Sequence, residues 1–214
     1  MASWKLRVEN YGKIKSAEIE IAPLTLFVGD NNSGKSYLMS LLWGIENLGV
    51  GALLGSEYLE SEETDELSEW FISQMEIAIQ KKKHIAPLED VSEMLSSVLK
   101  GLEKNKDNFV RRIFNSDNVS IGKLSIDLGC LKERYLCFEM NEKYGLIEGS
   151  IDSERTFLIN PNVLKGDFFR KEKELQWTLI QSIFSLIMLI KTGELGNEKI
   201  IYLPAARTGF MLTK

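Results

Sequence analysis

An α/β fold is what this chain predicts, and three observations predict it. Short strand-like runs fill the first 28 residues, a glycine-rich segment then leads directly into apolar residues at helical spacing, and a continuous apolar run at residues 199–203 has the character of a strand inside a sheet. Residues 29–36 read Gly-Asp-Asn-Asn-Ser-Gly-Lys-Ser and satisfy G-x-x-x-x-G-K-[ST], the P-loop pattern. A strand-type run at 24–28 before it and a helical pattern at 37–48 after it supply the context that makes the pattern a site. The two glycines let the backbone fold tightly and turn successive N–H groups toward one point, and the N-terminus of the next helix adds its dipole. Lys35 brings a mobile positive charge for β- and γ-phosphates, and the Ser36 hydroxyl is placed for Mg²⁺. The pattern implies a nucleoside triphosphate with magnesium.

In chain order, residues 5–8 and 17–21 read as strands around the turn Asn10-Tyr11-Gly12, and Pro23 breaks the second before the run that feeds the P-loop. Residues 49–55, small and glycine-rich, read as a loop. The acidic run from Glu57 to Glu69 reads as a solvated helix face or loop, and 70–80 as a helix ending at Lys81-Lys82-Lys83. Lysines there suit a helix C-terminus better than a nucleic-acid contact, because no aromatic residue is interleaved with them. A further helix opens at Pro87 and runs through Val91, Met94, Leu95, Val98 and Leu102. From 120 to 160 the chain reads as an antiparallel meander of four strands (121–128, 134–140, 145–151 and 156–159), with turns at 141–143 and 152–154. Residues 175–190 read as a buried helix ended by Gly193, and 199–203 as a core strand leading into Pro204 and Arg207. The organisation that follows is strands, P-loop and helix over 1–50, a helical acidic insertion over 51–118, the β meander over 119–160, and a buried helix with a core strand over 161–214.

The whole-chain character narrows the function classes. A net charge of −5 provides no global field for nucleic acid, so any DNA contact must be local. The single histidine, His84, excludes a His-based metal site, and Cys130 and Cys137 read as a reduced, buried pair. The N-terminus lacks a signal-type apolar segment, and 175–190 is shorter than the roughly 20 residues a membrane helix needs. No membrane and a cytoplasmic location are the expectation. Hydrolysis requires more than a P-loop: an apolar strand ending in Asp for the Mg²⁺ shell, often with a Glu beside it. No run ends convincingly this way; 124–127 is short and alternating, 136–139 lies in a hairpin, and 200–203 runs into Pro204. No catalytic residue is therefore assigned.

The opening Leu6-Arg7-Val8-Glu9-Asn10-Tyr11-Gly12-Lys13-Ile14, together with the run 19–21 and the loop 24–36 with asparagine at 31 and 32, resembles the start of ABC-type P-loop ATPases of the SMC/RecF/OLD group in the AAA family. The segment 202–209, Tyr-Leu-Pro-Ala-Ala-Arg-Thr-Gly, resembles OLD-like and antiphage-defence ATPases of bacteria. The resemblance implies the N-terminal lobe of an ABC-type head with an antiparallel β subdomain and a helical insertion. It implies that Gly29, Asn31, Asn32, Ser33 and Gly34 cradle ATP through the backbone, with Lys35, Ser36 and Tyr37 beside it. It places Asn10, Tyr11 and Lys13 near the base and ribose; for Tyr11 the alternative is an aromatic that packs the hairpin. Arg207 is either a γ-phosphate sensor or a surface arginine. No LSGGQ-like segment is present, since Leu95-Ser96-Ser97-Val98 lacks the glycines, and the resemblance implies that the Q-loop glutamine, signature motif, catalytic acid and switch histidine lie beyond Lys214. The expected partners are a second copy in a head-to-tail dimer or a C-terminal half of the same protein, with possible DNA and nuclease partners, in DNA repair or phage defence. Two alternatives remain. One is an ATP-binding scaffold that cannot turn ATP over and docks a nuclease or other partner. The other is a self-contained P-loop kinase or GTPase, weakened by the lack of an Asn-Lys-x-Asp segment.

Overall fold

Alternation of apolar and polar residues builds the first hairpin. Strand β1 (Trp4–Tyr11) buries Trp4, Leu6 and Val8, and β2 (Ile14–Ile21) folds back on it antiparallel, with Leu6 opposite Ile19 and Val8 opposite Ala17. At the tip the alternation slips by one residue. Asn10 takes a left-handed φ of 50°, which asparagine tolerates better than most residues, and Tyr11 turns into the core in its place. The computed structural model of the protein describes residues 4–21, 25–55, 61–129, 131–151 and 154–161.

Beyond the hairpin come α1 (Lys35–Leu54), α2 (Glu62–Lys81), β3 (Lys83–Pro87), a 3₁₀ turn (Leu88–Val91), α3 (Ser92–Leu99), α4 (Gly101–Phe114), β4 (Lys123–Asp127), β5 (Tyr135–Asn141), β6 (Leu146–Ile151) and β7 (Glu154–Ile159). Two antiparallel sheets result among the described residues, ordered β2-β1-β4 and β3-β5-β6-β7. Helix α1 packs on α4, and α2 lies across β3 and β5. The buried apolar residues of both sheets and all four helices, from Trp4 through Leu41, Phe71, Leu95, Phe109 and Phe138 to Ile151, belong to one core.

Several expectations are corrected. Residues 25–28 form no strand, and Leu26 and Val28 are 77% and 89% exposed. An apolar run becomes a buried strand only when its backbone finds neighbours to bond, and no described strand pairs with this one. Residues 49–54, expected as a loop, continue α1. Leu53 and Leu54 are buried, and the Asn105 side-chain amide of α4 donates to the carbonyls of Ala52 and Leu53 at 2.9 Å each, satisfying groups that a helix end otherwise leaves open. The single helix expected from Pro87 to Leu102 is a 3₁₀ turn, α3 and the start of α4, with Pro87 itself closing β3; α3 and α4 part where the Lys100 N–H bonds the Ser97 carbonyl at 3.0 Å and tightens the turn before Gly101. The acidic residues from Glu62 onward belong to α2, which the Ser61 hydroxyl caps by accepting from the Thr64 N–H. Its first turn carries Glu62, Glu63 and Asp65 and its last turn Lys81, the arrangement the helix dipole favours. Lys82 and Lys83 then pair with Glu142 and Glu139.

The meander is corrected as well. The segment at 123–127 does not join β5; it flanks β1, with Leu6 opposite Ile126 and Val8 opposite Leu124. The fourth place beside β5 is taken by β3, whose leading Lys83, following His84 and closing proline conceal a strand in the sequence. Cys137 is half-buried on the face of β5 opposite Leu136 and Phe138, rather than buried, and Cys130 lies outside the described residues. The expected helix at 175–190, the strand at 199–203 and Arg207 also lie outside the described residues.

Candidate functional site

The phosphate loop leaves residue 28, turns at Gly29 and Asn32 (φ 149° and 71°) and enters α1 through Gly34 at φ 93°. Only glycine fits the last position. A Cβ there would stand 2.5 Å from Ile14 Cγ1 of β2, so this close approach holds the loop against the hairpin. The Ser33 N–H bonds the Asp30 carbonyl at 3.3 Å, and the N–H groups of Tyr37 and Leu38 bond the Gly34 carbonyl at 3.0 and 3.2 Å, opening the helix. Lys35 folds back over the loop. Its ammonium donates to the carbonyls of Gly29 (2.7 Å) and Asp30 (2.5 Å) and to Ser33 Oγ (3.1 Å), so all three of its hydrogens have partners.

The two long helices begin differently. α2 starts with a side-chain cap and three acids, whereas α1 starts with neither: no side chain caps it and no acid lies in its first turn. The N-terminal N–H groups and positive dipole end of α1 are thus left without an anion of the chain's own. Ser36 is exposed at its second residue, and Ser33, Asn31 and Asn32 are exposed around the loop. A triphosphate with magnesium fits this donor set. Phosphate oxygens can draw the Lys35 ammonium away from neutral carbonyls because charge-assisted bonds are about twice as strong, and the Ser36 hydroxyl is the kind of oxygen Mg²⁺ takes.

The hairpin tip meets the loop from below. The Tyr37 ring lies over Gly12, and Tyr11 meets that ring edge-on with centroids 5.4 Å apart. Tyr11 is fully buried, and burial, then the neighbouring Tyr37, pushes its phenol well above the ordinary value. Asn10 and Lys13 are exposed at the turn. The fold therefore gathers Tyr11, Gly29, Ser33, Gly34, Lys35, Ser36 and Tyr37 at one end of the hairpin. Ile14 and Phe114 belong to the same cluster, and sequence reasoning missed both. Ile14 had a signal as the first apolar residue of β2; Phe114, from the end of α4, had none.

Of the carboxylates that end apolar runs, Asp127 sits opposite Lys5, seven residues along β1 from Gly12. At about 3.3 Å per residue it lies roughly 20 Å from the end of the hairpin that touches the loop. It bonds Arg7 and the Gly129 N–H, while Glu139 pairs with Lys83. Among the described residues no group of three or more His, Cys, Asp or Glu could hold a metal ion, and no helix is long and apolar enough to cross a membrane.

Comparison with curated proteins finds no match, and neither does comparison with solved structures. A family model of the AAA ATPase domain matches residues 1–142, which span both sheets through β5, all four helices and the whole phosphate loop. With 142 of its 214 residues inside that match, the chain belongs to the AAA ATPase domain family.

Proposed function

We propose that this chain is the ATP-binding first lobe of an SMC/RecF/OLD-like head. It holds Mg-ATP at residues 29–37 and works as part of an ATP-driven assembly in DNA repair or phage defence. The observation that carries the reading is the start of α1: an uncapped, acid-free helix N-terminus behind a Gly29–Gly34 turn, with Lys35 poised over it. Backbone N–H groups of Gly29, Asn31, Asn32, Ser33 and Gly34 would take phosphate oxygens, Lys35 would neutralise the β/γ pair, and Ser36 would hold Mg²⁺. Magnesium would supply charge neutralisation between phosphates; the chain's own residues bind and orient. Asn10 and Lys13 would face the base and ribose side of the nucleotide, a reading supported by their exposure at the turn beside the loop. The assembly would be a head-to-tail dimer or a union with a C-terminal half, with DNA and a nuclease as further partners, in the cytoplasm.

The test is titration calorimetry with Mg-ATP on the whole chain. Wild type is expected to bind, with ATP preferred over GTP, and Lys35→Ala to reduce binding below detection, because no other side chain of the loop can neutralise the β/γ-phosphates. Unchanged affinity in the variant would remove the site from residues 29–36; tighter GTP binding would favour a GTPase instead.

A second reading, an ATP-binding scaffold without turnover, is favoured by one feature: Asp127 and Glu139 are both engaged in ion pairs, and Asp127 is remote from the loop. Phosphate release decides between the two.

A further inference from the structure

Helix α1 is seated on the rest of the fold by contacts outside the phosphate loop. A Cβ built on Gly12, whose φ is +57°, would stand 2.7 to 2.8 Å from three carbons of the Tyr37 ring, so ring and backbone lie in direct contact. Phe114, the last residue of α4, meets the same ring at 5.7 Å and Tyr11 at 6.4 Å. The Tyr11 hydroxyl is buried with no hydrogen-bond partner among the described residues, so the ring rather than its polar tip holds the place. A second close approach, ten residues along α1, lies against the same helix: a Cβ on Gly44 would stand 2.5 Å from Ile113 Cδ1 and 3.4 Å from Phe109 Cζ.

We propose that Tyr37, seated on Gly12 and backed by Tyr11 and Phe114, is a positioning residue that sets Lys35 and Ser36 for the triphosphate and ties their placement to α4. The inference rests on the triphosphate reading. Tyr37 follows Ser36 directly and its N–H bonds the Gly34 carbonyl at 3.0 Å, so the seat of its ring constrains the backbone from which Lys35 and Ser36 project. On the other side of the loop, residues 25–28 join no described sheet, and Leu26 and Val28 are exposed. Small misplacement of phosphate-binding groups has large effects on binding and rate. Phe114 lies nearly eighty residues further along the chain, yet any shift of α4 reaches the loop through this ring.

Mg-ATP affinity should be measured by calorimetry on the full chain for Tyr37→Phe, Tyr37→Ala, Phe114→Leu, Gly12→Ala and the double Gly12→Ala/Tyr37→Ala variant. Circular dichroism and melting temperature would establish that each is folded. Tyr37→Phe, which keeps the ring, is expected within about twofold of wild type, and Tyr37→Ala roughly tenfold weaker, the effect of losing two aromatic contacts. Phe114→Leu should weaken binding severalfold although it does not touch the loop. Gly12→Ala should weaken it strongly alone and clearly less in the Tyr37→Ala background, where the ring it displaces is gone and only the strain of an alanine at φ +57° remains. Hydrogen exchange at the Tyr37 and Leu38 amides, measured without nucleotide, should quicken in Tyr37→Ala. A purely structural role would lower melting temperature and leave the affinity of folded protein unchanged. Wild-type affinity in folded Tyr37→Ala, or equal Gly12→Ala effects in both backgrounds, would overturn the proposal. If the alanine variant does not fold, Tyr37→Leu replaces it with the same expectation. If wild type fails to bind Mg-ATP, the triphosphate reading falls, and unchanged amide exchange in Tyr37→Ala then sinks the positioning role separately.

Discussion

Tyr11 shows how a single residue is decided by what surrounds it. The turn Asn10-Tyr11-Gly12 is legible in the sequence, but the direction of the tyrosine is not. The left-handed φ of Asn10 turns the ring inward, against Tyr37 and Phe114. Its hydroxyl is buried without a partner among the described residues, a state that costs about 1–3 kcal/mol relative to a satisfied one. Tyr11→Phe removes the hydroxyl and keeps the ring. It is expected to stabilise the fold by about 1 kcal/mol and raise the melting temperature by roughly 2–4 °C in scanning calorimetry. A lower melting temperature would mean that the hydroxyl has a partner that matters. Lys35 is the opposite case, since its proposed role is read from spacing alone and the structure adds only that its ammonium rests on Gly29, Asp30 and Ser33.

Among the elements, the three-stranded sheet is cross-linked by one side chain. Arg7 on β1 reaches Glu18 on β2 at 2.6 Å and Asp127 on β4 at 3.3 Å. The hydrogen bond from Arg7, then its charge, holds the Glu18 carboxyl below its usual range, and Glu18 in turn raises Arg7. A carboxylate lowered in the folded state adds stability that is fully present above its unfolded value, about 4.3 for glutamate, and is lost as pH falls through the folded value. The pair is exposed, so its contribution is small. Melting temperature should therefore fall somewhat more between neutral pH and acid below about 4 for wild type than for Glu18→Gln. Identical acid dependence in the two proteins would exclude Glu18 as a contributor. Periodicity found most of β1, β2, α2, β5 and β6 because each buries one face. It misplaced β4 because sheet membership depends on a partner more than a hundred residues away, and it ended α1 early because Asn105 supplies the cap from another helix.

For the whole molecule the open question is turnover. A P-loop positions phosphates and neutralises charge, but hydrolysis also needs a carboxylate that orients water and, in ABC-type heads, a signature loop from a partner. Such parts contribute several orders of magnitude in rate. Neither is recognisable in residues 1–214, and Asp127 lies roughly 20 Å from the hairpin tip by strand geometry. The 214-residue chain is therefore expected to bind Mg-ATP and release phosphate at or near background, measured at steady state against Lys35→Ala. On the proposed reading, adding a C-terminal half of the same protein, if one exists, should restore turnover. Robust hydrolysis by wild type, absent in Lys35→Ala, would mean that a carboxylate within the chain acts. Glu139 would then be the first to mutate.

By itself, the order of residues carried the P-loop pattern, the α/β class and the resemblance that the AAA ATPase domain match supports in its coarser form. Those features are local: eight consecutive residues carry the loop, and hydrophobic period carries the elements. The tertiary structure alone decided which strands share a sheet, that residues 25–28 join no described sheet and leave Leu26 and Val28 exposed, and that Phe114 and Ile14 reach the loop's helix. The physical reason is that backbone hydrogen bonds and close packing have partners of unlimited sequence separation, and a pattern read along the chain records what a segment needs without recording which segment supplies it.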